Sequence, residues 1–526
     1  MKQLTRSMMT EDVEELVQLL VESHPDPFRH FGGPVSFYDA ATRLLDSLPE
    51  TSSPTQFWRL LSPFVARLRD GHTRILCEQP PDAGRWPAEF GIVGEQLYVQ
   101  SVRQRDLLPL LGAQLMGIDG VSWSELCDRQ QQLQGSDNVI DNLRRLTQNM
   151  ASRSLLAALL DYDQKMNTMR FALKRPHHQQ SEIYEWSWDA YDHDVIVPAS
   201  TVHCPPLDTG SITWGFLDEN HDIACLRVGE LMNYREAFEE WNHMGFQRPI
   251  EAAWSKHFPD EPFQVQALPK LLSRIPSACE TLENLWQAAL TNHTTWLIVD
   301  LRGAIGGNSL FETILLYGLY GLDAVLENDG GYQIPRYSPL YLKNYRVLPD
   351  GASLKLGGYD FRDQREWQKR RRTPLCSASR KQAEAEKQWE QWIESIPTLA
   401  KWVHRQTTKK TRWSPKVLMV TGANTYSAGF DVAAMLWSHG AKHFGTAPAQ
   451  AGNCFIDVLH FALPHSCCYG TISYKESWRF PENPEIGTIL TPQFPLTYEM
   501  LSRYDFDPNA SIRMALEYIQ RRRESV

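Results

Sequence analysis

The stretch from 420 to 430 contains a serine at a position where chemistry is feasible. Ser427 lies between an apolar, strand-like segment that ends at Val420 and a helix-like segment from Asp431 to Trp437. A serine at the start of a helix is most often an N-cap. The same position would suit a nucleophile, because the N–H of Ala428 could stabilise an oxyanion formed on attack. The stretch alone leaves both roles open.

A second stretch is rich in glycine and also joins a strand to a helix. The apolar segment up to Asp300 is followed by Gly303, Gly306 and Gly307, and then by a helix-like segment from Leu310 to Leu319. Glycine lets the backbone approach a ligand closely, and the N–H groups at a helix start favour negative charge. The stretch therefore predicts either an oxyanion site or a tight turn with no ligand.

A third stretch places His72 on a turn, in the segment Arg69–Thr73. An imidazole has an unperturbed pKa of about 6.5, which suits a general base that accepts the proton of a serine hydroxyl. A single histidine on a turn usually has no such role. Only the combination with Ser427 and the glycine turn makes a catalytic role for His72 a specific hypothesis.

The surrounding pattern predicts an α/β fold that positions these turns. Nearly continuous apolar segments at 223–228, 295–300 and 416–420 are typical of a sheet covered on both faces. The chain opens with a predicted helix from Glu11 to Val21, for which Thr10 is the expected N-cap.

We divide the chain into three predicted parts. They are a helical N-terminal unit at 1–85 that carries His72, a small β-rich module at 86–165, and an α/β domain at 200–526. The last contains an inserted segment at about 328–413, whose basic run Lys369–Arg372 is interpreted as a solvated face.

Composition narrows the classes of partner. The chain has 526 residues and a net charge of −10, so it offers no general attraction to nucleic acid. No segment is apolar for long enough to span a membrane, and acidic residues interrupt the N-terminus where an export signal would need an apolar run. We therefore expect a cytoplasmic protein with neither nucleic-acid nor membrane partners; the oligomeric state, a homo-oligomer included, is left open.

The cysteines predict neither a disulfide framework nor a zinc site. There are nine, an odd number, with no ligand spacing. The adjacent Cys467 and Cys468 are interpreted as small apolar residues near a strand. No phosphate loop or dinucleotide fingerprint is present in the sequence, so we expect no organic cofactor and no metal.

Taken in order, the three stretches resemble the tail-specific or C-terminal-processing serine peptidases, above all the branch with the tricorn protease core. The matching motifs are Arg69–Thr73, Asp300–Arg302 with Gly306 and Gly307, and Thr425–Ala428. The resemblance spans nearly the whole chain. It implies a helical cap that carries the histidine, a PDZ-like module around 115–121, and a catalytic domain with crotonase/ClpP-like architecture.

The resemblance also implies roles for individual residues. Ser427 would be the nucleophile, His72 the base, and the N–H groups of Ala428 and of Gly306 or Gly307 the oxyanion hole. In the tricorn-like branch a glutamate downstream of the serine supports the site. By position Glu485 is the choice here; the alternates are Glu482 and Glu476, and a solvated loop carboxylate is the competing interpretation of each.

The sequence departs from the family at several positions. Asn453 falls about where the bacterial branch has a lysine base, which disfavours a serine–lysine dyad, although Lys442 lies nearby as a rival base. Ala304 stands where the family often has asparagine, and Gly71 where tricorn has a serine. The family's Pro-Asp near the end reads Pro492–Gln493. These departures allow altered specificity or lost activity.

Three functions follow from this pattern. The leading one is a serine peptidase that hydrolyses peptides or unfolded chains through an acyl-enzyme. The second is a peptide-binding protein that keeps the scaffold without turnover, with the PDZ-like module capturing a chain terminus by strand addition. The third is a processing enzyme dedicated to one small precursor peptide.

Overall fold

A computed structural model describes residues 3–78, 84–162, 166–191, 194–207, 211–327, 331–349, 352–354, 380–408 and 412–524. The basic run Lys369–Arg372 and much of the predicted insertion around it lie outside these residues.

The N-terminal unit is helical, as predicted. Its elements are β1 (Leu4–Thr5), α1 (Arg6–Ser23), α2 (Pro34–Asp46), β2 (Thr51–Ser52), α3 (Pro54–Ala66) and β3 (Arg74–Leu76), with a 3-10 turn at Arg29–Phe31. Helix α1 begins earlier than predicted, because Thr5, not Thr10, caps it by accepting a hydrogen bond from the N–H of Met8. The unit is not an independent domain, because β3 pairs with the strand Tyr469–Trp478 near the end of the chain.

The β-rich module forms one six-stranded sheet covered by three helices. Its elements are β4 (Ala88–Val93), β5 (Gln96–Val102), β6 (Gln114–Ile118), β7 (Val121–Ser122), α4 (Trp123–Leu133), α5 (Val139–Met150), α6 (Arg153–Leu159), β8 (Thr168–Lys174) and β9 (Glu182–Ser187), with a 3-10 turn at Arg105–Leu110. Strand β8 pairs with β6 and β9 pairs with β8. The sheet therefore extends beyond residue 165, because a hairpin that sequence reasoning did not recognise completes it.

The third part alternates strands and helices. Its elements are β10 (Ile212–Phe216), β11 (Ile223–Val228), α7 (Arg235–His243), α8 (Arg248–His257), α9 (Leu268–Leu272), α10 (Ala278–Asn292), β12 (Trp296–Asp300), α11 (Leu310–Tyr320), α12 (Leu322–Leu326), β13 (Tyr332–Pro335), α13 (Pro339–Tyr345), α14 (Arg380–Glu394), α15 (Pro397–Thr407), β14 (Lys416–Thr421), α16 (Ala428–Ser438), β15 (Lys442–Gly445), β16 (Asn453–Ala462), β17 (Tyr469–Trp478), α17 (Pro484–Thr488), β18 (Phe494–Pro495), α18 (Tyr498–Arg503) and α19 (Ala510–Glu524), with a 3-10 turn at Val265–Ala267.

The main sheet has the strand order β10-β11-β12-β14-β15-β18, and all neighbours are parallel except β10 and β11. Both faces are covered. Leu297 and Val299 of β12 face a core built largely from α7 to α11 and α16, whereas Ile298 packs in a second core with α19. The nearly continuous apolar strands predicted this arrangement.

A smaller sheet links the main domain to the N-terminal unit. Strand β17 pairs antiparallel with β13, with β16 and, at its beginning, with β3. Because β3 directly follows the His72 turn, this pairing brings an early segment to a late one. It is the contact on which the catalytic hypothesis depends.

Candidate active site

The two turns singled out in the sequence lie at one edge of the main sheet. Strands β12 and β14 are parallel neighbours, with Asp300 opposite Val420. The turns that follow both strands therefore emerge side by side. Ligand sites of open α/β sheets lie at this carboxyl edge.

Direct hydrogen bonds fasten these turns to each other. The N–H of Tyr426 donates to the carbonyl of Ala304 at 3.0 Å, and the hydroxyl of Thr425 donates to the carbonyl of Leu301 at 2.8 Å. Helix α16 then packs so closely that a Cβ added at Gly429 would lie 2.0 Å from the carbonyl oxygen of Ala304. Glycine is therefore required at position 429.

Ser427 has a strained backbone and is not a side-chain cap. It precedes α16 with φ 52° and ψ −127°, and its side chain makes no capping hydrogen bond. A left-handed φ in a non-glycine residue costs on the order of 1–3 kcal/mol and is typical of functional sites. A serine on a strained strand-to-helix turn is also how α/β hydrolases expose a nucleophile. The capping interpretation of Ser427 is thus not what the structure shows.

Gly306 lies directly against Ser427. A Cβ added at Gly306 would be 2.7 Å from the Cβ of Ser427 and 3.4 Å from its hydroxyl oxygen. Gly306 and Gly307 also have φ values of +114° and +134°, which disfavour any side chain. The sequence predicted that these glycines let the backbone approach a neighbouring group closely, and in the structure Gly306 does so at Ser427.

The two turns contain N–H groups that have no hydrogen-bond partner among the described residues. Within the described part of the chain, the N–H groups of Gly306, Gly307 and Ala428 donate no hydrogen bond. The N–H of Ser427 itself is not free, because it donates to Oε1 of the buried Gln450 at 2.7 Å. Free N–H groups beside a hydroxyl can stabilise the negative charge of a tetrahedral intermediate.

This geometry predicts a selective effect at one glycine. Gly306→Ala should lower kcat about 10²-fold, because its Cβ would displace the Ser427 side chain or the N–H groups beside it. Gly303→Ala is the matched control, since a Cβ there has its nearest neighbours at 3.6 Å. The measurement is peptide hydrolysis by both variants and the parent. Equal losses at Gly303 and Gly306 would contradict the assignment.

The His72 turn is held by a buried carboxylate. Oδ1 of Asp70 accepts the N–H of His72 at 2.8 Å, and Oδ2 lies 3.1 Å from Nε2 of the fully buried His24. Nδ1 of His24 accepts the N–H of Asp26, so Nε2 carries the proton and donates it to Asp70. Although burial by itself raises the pKa of Asp70, its contacts with His24 and His72 lower it to about 2. Asp70 is therefore ionised and fixes the backbone that presents His72.

No side chain fits at Gly71. A Cβ there would lie 2.2 Å from the hydroxyl of Tyr426 and 2.6 Å from Oδ1 of Asp137. The N–H of Gly71 donates to the same Oδ1 at 2.6 Å. The departure from tricorn at this position has a local physical reason, because Tyr426 and Asp137 occupy the space that a side chain would need.

Tyr426 connects the histidine turn to the serine turn. Its hydroxyl donates to Oδ2 of Asp137 at 3.1 Å and lies 3.2 Å from Nδ1 of His72, and the tyrosine and imidazole rings stack at 4.7 Å. Tyr426 is also the residue directly before Ser427. The histidine is therefore packed on the residue next to Ser427.

The same contacts define which nitrogen of His72 is basic. A tyrosine hydroxyl has one proton, and when Asp137 is a carboxylate Tyr426 donates that proton to it, so the hydroxyl can only accept a hydrogen bond from His72. In that state Nδ1 of His72 carries the proton and Nε2 keeps a lone pair. Nε2 is buried and has no hydrogen-bond partner among the described residues. Burial also lowers the pKa of His72, which keeps the imidazole neutral.

Helix α5 supports this arrangement from below. Asp141 accepts hydrogen bonds from Arg144 and Arg145, and Arg145 also donates to the carbonyl of Gly71. Burial, together with the neighbouring carboxylates of Asp141 and Asp70, raises the pKa of Asp137. In its carboxylate form Asp137 accepts the hydrogen bonds from Gly71 and Tyr426.

His72 and Ser427 lie in adjacent parts of the same site without a direct hydrogen bond. The contacts that join them run through Tyr426. Catalytic hydrogen bonds are often long in the absence of substrate, so this geometry is compatible with a base that closes on the hydroxyl when a peptide binds.

The structure does not place the predicted glutamates against His72. Glu485 is exposed in the short helix α17 and Glu482 is exposed just before it. Glu476 is buried, but it accepts hydrogen bonds from Arg29 and from the indole of Trp478. The group that hydrogen-bonds to Nδ1 of His72 is Tyr426, so none of the three glutamates enters the mechanism proposed below.

The rival lysine and the residue at the family's lysine position have other surroundings. Lys442 is exposed and pairs with Leu418, about three residues, or roughly 10 Å, back from the carboxyl edge of the sheet. The side-chain amide of Asn453 donates to the carbonyl of Phe480 and accepts its N–H. Neither residue is positioned as a base.

Sequence reasoning missed three of the residues that build the site. Asp137 and Gln450 lie on separate loops with no recognisable motif, and only tertiary contacts show their roles. Tyr426 lies inside the motif Thr425–Ala428, but a tyrosine at such a position is usually interpreted as a core residue. The one available signal was that its side chain carries a hydroxyl and directly precedes Ser427.

Asp70, His72 and Asp137 also have the composition of a cation site, with ligand atoms all within 4.8 Å of one another. The carboxylate oxygens already accept hydrogen bonds from His24, from Tyr426 and from backbone N–H groups. The set is therefore interpreted as a hydrogen-bond network.

Among the described residues, no helix has the length and apolarity needed to cross a membrane.

Comparison with known proteins gives the fold. Neither a scan against protein-family models nor a search of curated proteins found a match to the sequence. Among solved structures, mature CPAF complexed with lactacystin is similar at a TM-score of 0.53 and 13% identity, covering 95% of this chain and 96% of that one.

Two further structures resemble the chain more distantly. The photosystem II D1 C-terminal processing protease has a TM-score of 0.39 at 10% identity, with 94% of each chain covered. A putative S41 protease from Bacteroides fragilis has a TM-score of 0.34 at 11% identity, covering 86% of this chain and 87% of that one. The similarity to mature CPAF therefore shows the fold of this chain, and the predicted α/β architecture is confirmed.

Proposed function

We propose that the protein is a serine peptidase that cleaves peptides or unfolded chains through an acyl-enzyme on Ser427, with His72 as general base. The observation that carries the proposal is the strained Ser427, whose hydroxyl caps nothing and lies against Gly306, beside N–H groups that bind nothing else in the described chain. The fold shared with CPAF is consistent with it.

The reaction would run in two halves. Nε2 of His72 accepts the proton of the Ser427 hydroxyl as its oxygen attacks the peptide carbonyl. The N–H groups of Ala428 and of Gly306 or Gly307 hold the resulting oxyanion. His72 then protonates the leaving amine, and water activated by the same nitrogen hydrolyses the ester.

Tyr426 and Asp137 have a positioning role in this scheme. Together they hold the proton on Nδ1 of His72, and so they leave the lone pair on Nε2, which has no hydrogen-bond partner among the described residues. In a serine–histidine–carboxylate triad the carboxylate bonds to the imidazole directly. Here the tyrosine hydroxyl stands between the two.

A conservative substitution tests this positioning role. Tyr426→Phe keeps the stacked ring but removes the hydroxyl, so kcat should fall on the order of 10-fold to 100-fold with KM unchanged. Tyr498→Phe is the control, since its hydroxyl donates to the carbonyl of Gly112 away from the site. A Tyr426→Phe enzyme with the parent kcat would show that the histidine is oriented by something else.

The peptide-binding alternative has no observation in its favour at the serine turn. A scaffold that only binds peptides needs neither backbone strain at Ser427 nor a histidine with a free, buried nitrogen. Strain of this kind persists only where the surrounding structure enforces it. We therefore favour turnover, and a scan of unstructured peptides for cleavage is the experiment that tests it.

A further inference from the structure

Two cysteines lie opposite each other where β3 ends and β17 begins. In this antiparallel pair Leu76 is opposite Tyr469 and Ile75 is opposite Gly470. The ladder ends there, and extending its register by one residue would place Cys77 opposite Cys468. Sequence reasoning could not pair them, because nearly four hundred residues separate the two.

The two side chains belong to the same hydrophobic cluster, in which Cys468 is buried and Cys77 packs against the buried residues. Both cysteines are free in the structure. Directly opposed residues of an antiparallel pair have Cα atoms about 4.5–5.5 Å apart. This spacing lies within the range of about 4.4–6.8 Å that a disulfide needs. A bond between the two would therefore require little movement of the backbone.

The environments of the two thiols differ in a way that suits stepwise oxidation. Cys77 is half-buried, whereas Cys468 is fully buried. Hydrogen bonds from Cys468 and from Thr55 lower the pKa of Cys77 to about 7, and its contact with Cys77 together with burial raises the pKa of Cys468. Cys77 is thus the accessible thiolate, and Cys468 is the thiol held beside it.

We propose that Cys77 and Cys468 form a redox-active dithiol that hydroperoxides convert to a disulfide. The Cys77 thiolate attacks one peroxide oxygen, the O–O bond breaks, and a sulfenic acid and one hydroxide form. The Cys468 sulfur then attacks the sulfenic sulfur and displaces hydroxide. The hydroxides take up the two thiol protons, so two thiols and one hydrogen peroxide give one disulfide and two waters.

The bond would form close to the candidate active site. Strand β3 begins two residues after His72, and β17 already holds that segment through Thr471, whose hydroxyl donates to the carbonyl of His72 at 2.7 Å. The N–H of Ser473 donates to the hydroxyl of Thr73 at 2.9 Å. Oxidation would add a covalent link to a pairing that now depends on hydrogen bonds, and so it would lock the histidine segment to β17.

The test measures thiols, and so it does not depend on peptidase activity. The full-length protein is treated with hydrogen peroxide, alkylated, unfolded, digested without reductant and analysed by mass spectrometry. We expect a cross-link between the peptides that contain Cys77 and Cys468, and its loss after treatment with dithiothreitol. Cys77→Ser and Cys468→Ala should each abolish the cross-link, whereas Cys467→Ser should leave it in place.

Three results would overturn the proposal. One is full alkylation of both thiols after peroxide treatment, and another is a cross-link between the adjacent Cys467 and Cys468 instead. The third is over-oxidation of Cys77 to a sulfinic acid with Cys468 still free. The apparent unfolding temperature gives a second readout: peroxide should raise it in the parent and in Cys467→Ser, and should leave it unchanged in Cys77→Ser.

Discussion

Ser427→Ala is expected to abolish peptide hydrolysis, with a loss on the order of 10⁴-fold or more. The hydroxyl oxygen forms the acyl bond, so no neighbouring group can replace it. The residual rate would come from binding and from the N–H groups of Gly306, Gly307 and Ala428. The measurement is cleavage of a fluorescence-quenched, unstructured peptide, with circular dichroism to verify the fold.

Ser427→Gly is the matched control for this variant. Glycine also lacks the hydroxyl, but it adopts a φ of 52° without strain, so it should be as inactive as alanine and more stable by about 1 kcal/mol. Denaturant unfolding of the pair measures that difference. Hydrolysis retained by Ser427→Ala would place the nucleophile elsewhere, and equal stability of the pair would argue against strain at this turn.

His72→Ala is expected to lower kcat about 10³-fold to 10⁴-fold, while Lys442→Ala leaves it unchanged. Nε2 of His72 has no hydrogen-bond partner among the described residues and its ring stacks on Tyr426, next to Ser427, whereas Lys442 is exposed near the opposite end of its strand. Steady-state kinetics of the two variants separate the bases directly. Full activity in His72→Ala together with a loss in Lys442→Ala would favour a serine–lysine dyad.

The pH dependence of kcat/KM should also distinguish a histidine base from a lysine base. The neutral imidazole is the active form, and burial lowers the pKa of His72, so the acid limb of kcat/KM should lie below the ordinary histidine value of about 6.5. Activity should therefore be full at neutral pH and be lost as the pH falls through the lowered value. A lysine base would instead give an activity that keeps increasing with pH at values well above 7. Such a profile would contradict the histidine assignment.

Much of the main domain could be predicted because its strands are buried on both faces. The runs at 223–228, 295–300 and 416–420 are apolar throughout and recur between helices, and the structure contains them as β11, β12 and β14. Parallel pairing then fixes the edge from which both turns emerge. It could therefore be predicted that Ser427 and Gly306 lie on strand-to-helix turns and that these turns are neighbours.

The details at the ends of elements were less predictable. Helix α1 begins at Arg6 with Thr5 as its cap, so Thr10 lies inside the helix. The apolar pattern starts only at Val13, and it therefore did not indicate the first turns of the helix. The β-rich module continues to Ser187, because the hairpin of β8 and β9 pairs with a strand fifty residues earlier. Such pairings follow from tertiary packing, which a local pattern does not contain.

The support of the histidine was the least predictable part of the site. The expected carboxylate was Glu485, chosen by its distance along the chain, yet the structure leaves that side chain exposed. The hydroxyl of Tyr426 and the carboxylate of Asp137 lie at the imidazole instead, and they come from loops nearly three hundred residues apart. A network of this kind has no spacing that a single sequence could display.

We propose that Ser427 is an activated nucleophile in the folded protein. Labelling with a fluorophosphonate probe, followed by mass spectrometry of the labelled peptide, measures this most directly. We expect one adduct, on Ser427, that does not form after unfolding and forms much more slowly in His72→Ala. Absence of labelling in the folded protein, or equal labelling of folded and unfolded chains, would contradict it.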